Sequence, residues 1–455
     1  MSSLSSSILH HLGNNFPILS DLNFADWNVD NMDVTTLGTR FAGIFVLTWA
    51  AFKYIEAKRS PTTQIKYTLG APIEEDPYHT AIVRTPLTRN LAIRFDDIKD
   101  EIDAAFKFYV PPTEEWTSVP AYDTVMHIVC RTSNRYFTGL PLCRDPGYIQ
   151  LQERFTLDVT IGARIINCFP DFLKPLVGRY LTTVPRSVER ALAYLGPMVK
   201  ERLTQADLHG SDWPDRPNDL ISWLLESAQG YQREVRDIVL RILSINFAAI
   251  HTSTISFTQA LYDLAIQPQY VAEMREEAEK VIREHGWTKL AMQQMRKIDS
   301  FLKESQRLNS IGALLMTRKT LKDWTLSDGT VIPAGTYISL ASDAMNREDT
   351  SFTDANTFKG FRWSQMREGD GELDSIKHQM VALTLDTIVW GHGRHACPGR
   401  FFAVNELKAI FAYVILHYDV QLEGGSMERP ENLKYEASIA PNMKAKVMFR
   451  KRRSS

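Results

Sequence analysis

Cys397 lies in the segment IVWGHGRHACPGRFFAVNELKAIFAYVILH, between a glycine-punctuated loop and an apolar helical pattern that starts at about Pro398. Proline suits a first helical position, where its missing N–H would go unsatisfied anyway, so the spacing predicts Cys397 as the N-cap. Free amides and the positive helix end would favour a thiolate there. Gly393 permits a tight turn, and Gly399 lets the backbone approach something flat and large. His395, two residues ahead of the sulfur, is placed to meet an anionic group at the edge of that object. Three chemistries compete for these residues: a buried structural thiol, a zinc site from His392, His395 and Cys397, and a haem-thiolate ligand. The first does not account for the glycines, the proline and the flanking aromatics. The second lacks an obvious fourth ligand and any C-x-x-C pair.

Two further groups of residues carry chemistry. Glu304 and Arg307, in FLKESQRL, stand one turn apart on one helix face. The spacing alone is weak, since Glu56 and Arg59 repeat it where a solvated pair is the sensible reading. The other group is FAAIHTSTIS, at the centre of a helical pattern from about Tyr231 to Ala265, roughly 50 Å long at 1.5 Å per residue. Ala248 and Ala249 are small, and the Thr252 hydroxyl can bond back to the Ala248 carbonyl and bend the helix locally. A core threonine in a packed helix is the plain alternative.

The elements that must hold these groups are mostly helical from Tyr122 onward, without internal repeats or low-complexity tracts. GSDWPDRP (210–217) reads as a loop before the long helix, and EMREEAEKVIREHG as a solvated surface helix. WTLSDGTVIPAGTYISL (324–340) alternates around Asp328-Gly329, a hairpin signal, with a second turn at Pro333 and Gly335. Residues 60–80 and 364–380 are polar and turn-rich and are predicted to be irregular. The expected fold class is mainly α with a minor β portion.

The stretch Trp390 to Gly399 resembles the cysteine loop of cytochrome P450 monooxygenases, F-x-x-G-x-R-x-C-x-G, matching at Gly393, Cys397 and Gly399. It departs from the pattern at Trp390 and His395, which keep an aromatic lid over the sulfur and a donor for a haem propionate. Other landmarks fall in order. Glu304 and Arg307 match the family's E-x-x-R, Phe358 to Trp363 resembles the segment that supplies its partner and nominates Arg362, and Arg318 matches a propionate-binding position. FAAIHTSTIS is similar to A/G-G-x-D/E-T, with Thr252 as the threonine and His251 where many members carry an acid. The resemblance implies a P450-like fold with haem b bound through Cys397, and Thr252 and His251 delivering protons. It also implies dioxygen, a lipophilic substrate such as a terpenoid, and electrons from an NADPH-cytochrome P450 reductase. LCRDPGYIQLQERFTLDV resembles fungal members of secondary metabolism. The third-helix W-x-x-x-R pattern is missing, which leaves His79, Arg84 or Arg89 for its propionate. Against a family length of about 500, the resemblance implies a shortening of roughly 60 residues near the N-terminal side. A truncated, catalytically impaired haem-binding relative is the alternative.

Lysine plus arginine number 52 against 54 acidic residues, so nothing recommends a nucleic-acid partner. Four cysteines without C-x-x-C spacing point to a reducing compartment. Residues 1–39 lack lysine and arginine, and an apolar run follows before Lys53, Lys58 and Arg59. The reading is a lumenal segment at 1–33, a transmembrane anchor in lipid at 34–55 and a cytosolic haem domain at 56–455. This describes a single-pass protein of the endoplasmic reticulum membrane.

Overall fold

The computed structural model describes residue 43 and residues 65–210, 213, 215–368 and 372–453. Apart from residue 43, the expected anchor at 34–55 and the segment 1–33 lie outside the described residues. Residues 61–166 and 171–455 belong to one compact unit.

The principal helices are α1 (Phe95–Tyr109), α2 (Ala121–Phe137), α3 (Pro146–Asn167), α4 (Lys174–Tyr180), α5 (Val184–His209) and α6 (Leu220–Ser227). They continue with α7 (Val235–Ile266), α8 (Val271–His285), α9 (Lys289–Gln294), α10 (Arg296–Leu308) and α11 (Arg400–His417). Helix α7 is the axis of the packing, with α2, α5, α10 and α11 against it. Ile238, Val239, Ile242, Leu243, Ile245 and Ile250 are all buried, the all-round apolarity of a core helix. By length and composition α7 could cross a membrane, yet it lies inside the protein core. It begins at Val235 rather than near Tyr231, because Gly230–Arg233 form a separate 3-10 turn. Pro268, which starts the next 3-10 turn, suits a chain leaving the helix.

The β portion is small, as expected. Strands β1 (Thr117–Pro120), β6 (Tyr418–Leu422) and β9 (Lys446–Lys451) form an antiparallel sheet in the order β1-β9-β6. Val119 pairs with Val447 and Val420 with Phe449, which fastens the chain ahead of α2 to its C-terminal strand. The predicted hairpin forms: β3 (Trp324–Thr325) pairs with β4 (Val331–Ile332) across Gly329, whose φ of 87° suits glycine. After the second turn, β5 (Tyr337–Leu340) pairs back on β2 (Leu315–Lys319). A last hairpin joins β7 (Leu433–Tyr435) to β8 (Ser438–Ala440).

Three local expectations need correction. Residues 65–90 are largely helical, with π-helical turns at Lys66–Gly70 and Val83–Leu87 and α-helical turns at Ala71–Glu75 and His79–Ile82. Leu69, Ile73, Ile82, Leu87 and Leu91 are buried there, an apolar stripe that outweighs the turn-forming residues around it. Helical turns also occupy Arg362–Met366 and Glu372–Lys377 in the other stretch predicted to be irregular. Finally, α11 begins at Arg400, two residues beyond the predicted start, with Gly399 as its N-cap. Pro398 and Gly399 form a turn, so Cys397 stands in the loop before the helix.

Candidate active site

Helix α7 is buried along most of its length, but Ala248 and Thr252 at its centre are exposed, and Ser244, Phe247, Ile255 and Ser256 are partly so. Positions 244, 248, 252 and 256 follow one i,i+4 row, so one face of this otherwise buried helix is left open. The Thr252 Oγ1 donates to the Ala248 carbonyl at 2.7 Å, the back-bond anticipated from the sequence, and lies 3.3 Å from the Ala249 carbonyl. His251 projects about 100° around the helix from its neighbour. Its Nε2 meets the Glu153 carbonyl of α3 at 2.7 Å, so that nitrogen carries the proton, and its Nδ1 faces the Tyr122 hydroxyl of α2 at 3.4 Å. Burial lowers its pKa. Both ring nitrogens are therefore engaged with groups of α2 and α3.

The cysteine loop is shaped by Gly391 and Gly393, with φ of 69° and 68°. The Cys397 amide donates to the Trp390 carbonyl at 2.8 Å, and the Trp390 indole donates to the Met380 carbonyl at 2.8 Å. Trp390 thus closes the loop on itself and ties it to the preceding segment. Amides of Gly399 and Arg400 reach the Cys397 sulfur and pull its pKa down, as the sequence suggested, but burial is the larger effect and the thiol pKa is raised. His395 and His392 are exposed, His395 in the 3-10 turn Gly393–His395. No group of three histidine, cysteine or acidic side chains among the described residues could hold a metal ion, so the zinc geometry does not form. One soft donor without other protein ligands instead suits a metal that brings its own equatorial ligands, as haem iron does.

Glu304, Arg307 and Arg362 come together as expected. Arg307 grips the Glu304 carboxylate through Nε at 3.0 Å and Nη2 at 2.8 Å, and Arg362 Nε donates to the same carboxylate at 3.0 Å. Trp363, unassigned from the sequence, adds its indole N–H at 3.1 Å. Arg318 stays on the exposed face of β2, its Nη1 on the Thr317 carbonyl. Of the three residues offered for the missing pattern, His79 is occupied against Arg241, and burial foremost lowers its pKa to about 4. Arg84 reaches the cysteine loop, with Nη2 3.5 Å from the Arg394 carbonyl. Glu406 of α11 was also unforeseen: fully buried, it accepts from Ser133 at 2.7 Å. Its signal was a single acid inside an apolar helical run, easily read as surface.

A family model described as Cytochrome P450 matches residues 114–449. Cytochrome P450 monooxygenase 103 of Postia placenta is 46% identical over 394 residues, covering 86% of this chain and 78% of that protein. Monooxygenase 151 of the same organism is 43% identical over 394 residues, 86% of this chain and 79% of its own. Among solved structures, a cytochrome P450DA heme domain superposes with a TM-score of 0.64 at 16% identity, covering 87% of this chain and 82% of that one, which bears on fold alone.

Proposed function

The chain belongs to the cytochrome P450 family, and on that premise we propose that the Cys397 thiolate would hold the iron of its haem b and that Thr252 would donate protons beside it. The protein is a monooxygenase whose haem is held by a cysteine thiolate. When bound, the haem activates dioxygen, and electron donation from the sulfur favours O–O cleavage.

The remaining work falls to this chain's own residues. Thr252 holds a proton at Oγ1 on the open face of α7, and Ala248 beside it leaves room for a small molecule. Gly393 and Gly399 allow the loop to lie close to a flat ring, and Trp390 stiffens it. His395, Arg318 and Arg84 are the hydrogen-bond donors assigned to the propionates. Glu304, Arg307 and Arg362 form the frame behind the loop. The observation that carries the reading is the exposed Ala248–Thr252 row in the middle of a core helix, in a chain whose cysteine loop presents one amide-capped sulfur.

The proposed substrate is a lipophilic small molecule such as a terpenoid of fungal secondary metabolism, oxidised with electrons from an NADPH-cytochrome P450 reductase. We assign residues 34–55 to a single-pass anchor in the endoplasmic reticulum membrane, with 1–33 lumenal and 56–455 cytosolic.

A reduced, carbon-monoxide difference spectrum of the purified full chain tests the core of this reading. A thiolate-type Soret band is expected, and Cys397→Ala should abolish it. A band that survives the substitution refutes the ligand, and no band under full haem supply refutes the activity. Thr252→Ala is expected to divert reducing equivalents to hydrogen peroxide, and unchanged coupling would remove Thr252 from proton delivery.

A further inference from the structure

Arg241 is a fully buried cation on α7 that the catalytic reading does not use. Its Nε and Nη2 hold the Asp237 carboxylate, one turn back on the same helix, at 2.6 and 3.2 Å. Nη1 leaves α7 altogether and donates to the Asp76 carbonyl at 2.7 Å and to His79 Nδ1 at 3.1 Å. His79 therefore accepts as a neutral ring, in keeping with a pKa lowered by burial and by the guanidinium beside it. The Tyr78 ring lies against the same guanidinium, its centroid 4.0 Å from Cζ. The Asp76 carboxylate is gripped as well, by the Tyr231 hydroxyl at 2.8 Å and the Gln232 amide at 2.5 Å from the 3-10 turn ahead of α7. Asp237 alone would balance the charge of Arg241. The third nitrogen and the ring contact serve to fasten residues 76–79 to α7.

His79 opens a continuous helical run through the turns His79–Ile82, Val83–Leu87 and Thr88–Asn90. The middle of that run meets the cysteine loop. Arg84 Nη2 lies 3.5 Å from the Arg394 carbonyl, and Val83 Cγ1 stands 3.5 Å from where a Cβ on Gly399 would project. Farther along, the Leu87 carbonyl accepts from the Tyr136 hydroxyl of α2 at 2.6 Å. The Tyr136 ring in turn stacks on Phe402 of α11, with centroids 5.3 Å apart and planes at 24°. The run is thus tied at its start to α7, in its middle to the cysteine loop and, through Tyr136, to the helix that follows the loop. Arg241 and Thr252 stand about three turns apart on α7, roughly 16 Å, and so on nearly the same face. We propose that Arg241 is a positioning residue: by pinning the first turn of the 79–90 run to α7, it holds the Cys397 loop in register with the Thr252 row. The sulfur and the hydroxyl come from distant parts of the chain, and the glycines of the loop leave it pliable. A third element anchored to both sides supplies the fixed separation that the chemistry needs.

The inference rests on the haem-thiolate reading, and its test separates the two. Arg241→Met alone would strand the buried Asp237, so Arg241→Met/Asp237→Leu replaces the ion pair by apolar groups, a change that often leaves stability intact. Amide hydrogen exchange of the full-chain holoprotein, resolved by segment, is the readout. Exchange at 79–90 and at 391–399 is expected to quicken together by roughly tenfold, the size of one lost hydrogen bond to a charged group. Helix α10 and the β1-β9-β6 sheet should keep their rates. Haem should pass to apomyoglobin faster by a similar factor. His79→Leu, which leaves Arg241 on Asp237, should quicken the same two segments about threefold, and it decides the matter if the double variant does not fold. Quickening at 79–90 without the cysteine loop, quickening spread evenly over the molecule, or no change overturns the proposal. The carbon-monoxide band of the unsubstituted protein tells the two claims apart. Its absence refutes the haem-thiolate reading and this proposal with it, whereas a thiolate-type band with unaltered exchange in the variants refutes this proposal alone.

Discussion

Two glutamates, Glu304 on α10 and Glu406 on α11, are both fully buried, and they are handled in opposite ways. Glu304 receives Arg307, Arg362 and the Trp363 indole, and its Oε1 also accepts the Lys359 amide at 3.1 Å. Glu406 has hydroxyl donors only, from Ser133 at 2.7 Å and from Ser253, and its Oε2 has no partner. Burial pushes its pKa up to about 8. The first is a charge enclosed by charges and the second an acid kept neutral at pH 7. Two cations and two N–H donors make an ion tolerable in the core, whereas two hydroxyls do not.

The largest break in this contrast comes from removing one cation. Arg307→Leu leaves Glu304 buried with half its compensation and also strands the Asn346 and Ala355 carbonyls that Arg307 Nη1 serves. The expected loss is about 3–5 kcal/mol, seen as a lower urea midpoint and as chain recovered without haem. A variant of unaltered midpoint would mean that the cluster is not the frame of this region.

Next in size is Glu406→Gln, and its effect depends on pH. The unfolded carboxyl releases its proton near the ordinary value of 4.5, whereas the folded one keeps it to about 8. Between those values the unfolded state binds fewer protons, so stability falls as pH rises through the window and levels off above it. Glutamine cannot ionise. Relative to the unsubstituted protein it should therefore gain on the order of 2 kcal/mol between pH 5 and pH 7, measured as the difference in urea midpoints. A difference that stays constant across that range would show Glu406 to be charged in the folded state.

A smaller change sharpens the charged side of the comparison. Trp363→Phe removes one donor to Glu304 Oε2 while Arg307 remains there, and about 1–2 kcal/mol is expected, independent of pH between 6 and 9. Urea midpoints at the two ends of that range check it.

The two glutamates also differ in what the sequence disclosed. Glu304 was legible because its partner Arg307 lies one turn away and because Arg362 sits in a segment whose resemblance is specific. The cysteine loop was legible for the same reason: glycines, proline and cysteine act over ten consecutive residues. Glu406 was not, since Ser133 and Ser253 approach it from α2 and α7, far away in the chain. The partners of His251 were not legible for a related reason. Its neighbour Thr252 drew attention to the oxygen side, while the groups that engage it, Glu153 and Tyr122, are brought there only by the packing of α2 and α3. The helical path of residues 65–90 was hidden differently, by Pro72, Gly70 and Pro86 overlying a buried stripe. Motifs of local spacing could be read in advance, and contacts made by tertiary packing could not.

The smallest expected effect tests why Glu406 is neutral. Ser133 is fully buried, and Ser133→Ala removes a single hydroxyl with almost no change of shape. That hydroxyl donates to Oε1, an interaction stronger with a carboxylate than with a carboxylic acid. Its loss should cost about 0.5–1 kcal/mol at pH 5, where the acid is neutral in the folded state. At pH 9, where the folded carboxyl ionises, the cost should rise to roughly twice that. The folded pKa moves further upward, because a donor that favoured the ion has gone. Equal costs at the two pH values would mean that Ser133 orders α2 against α11 without sensing the charge, and would leave burial alone as the cause of the raised pKa.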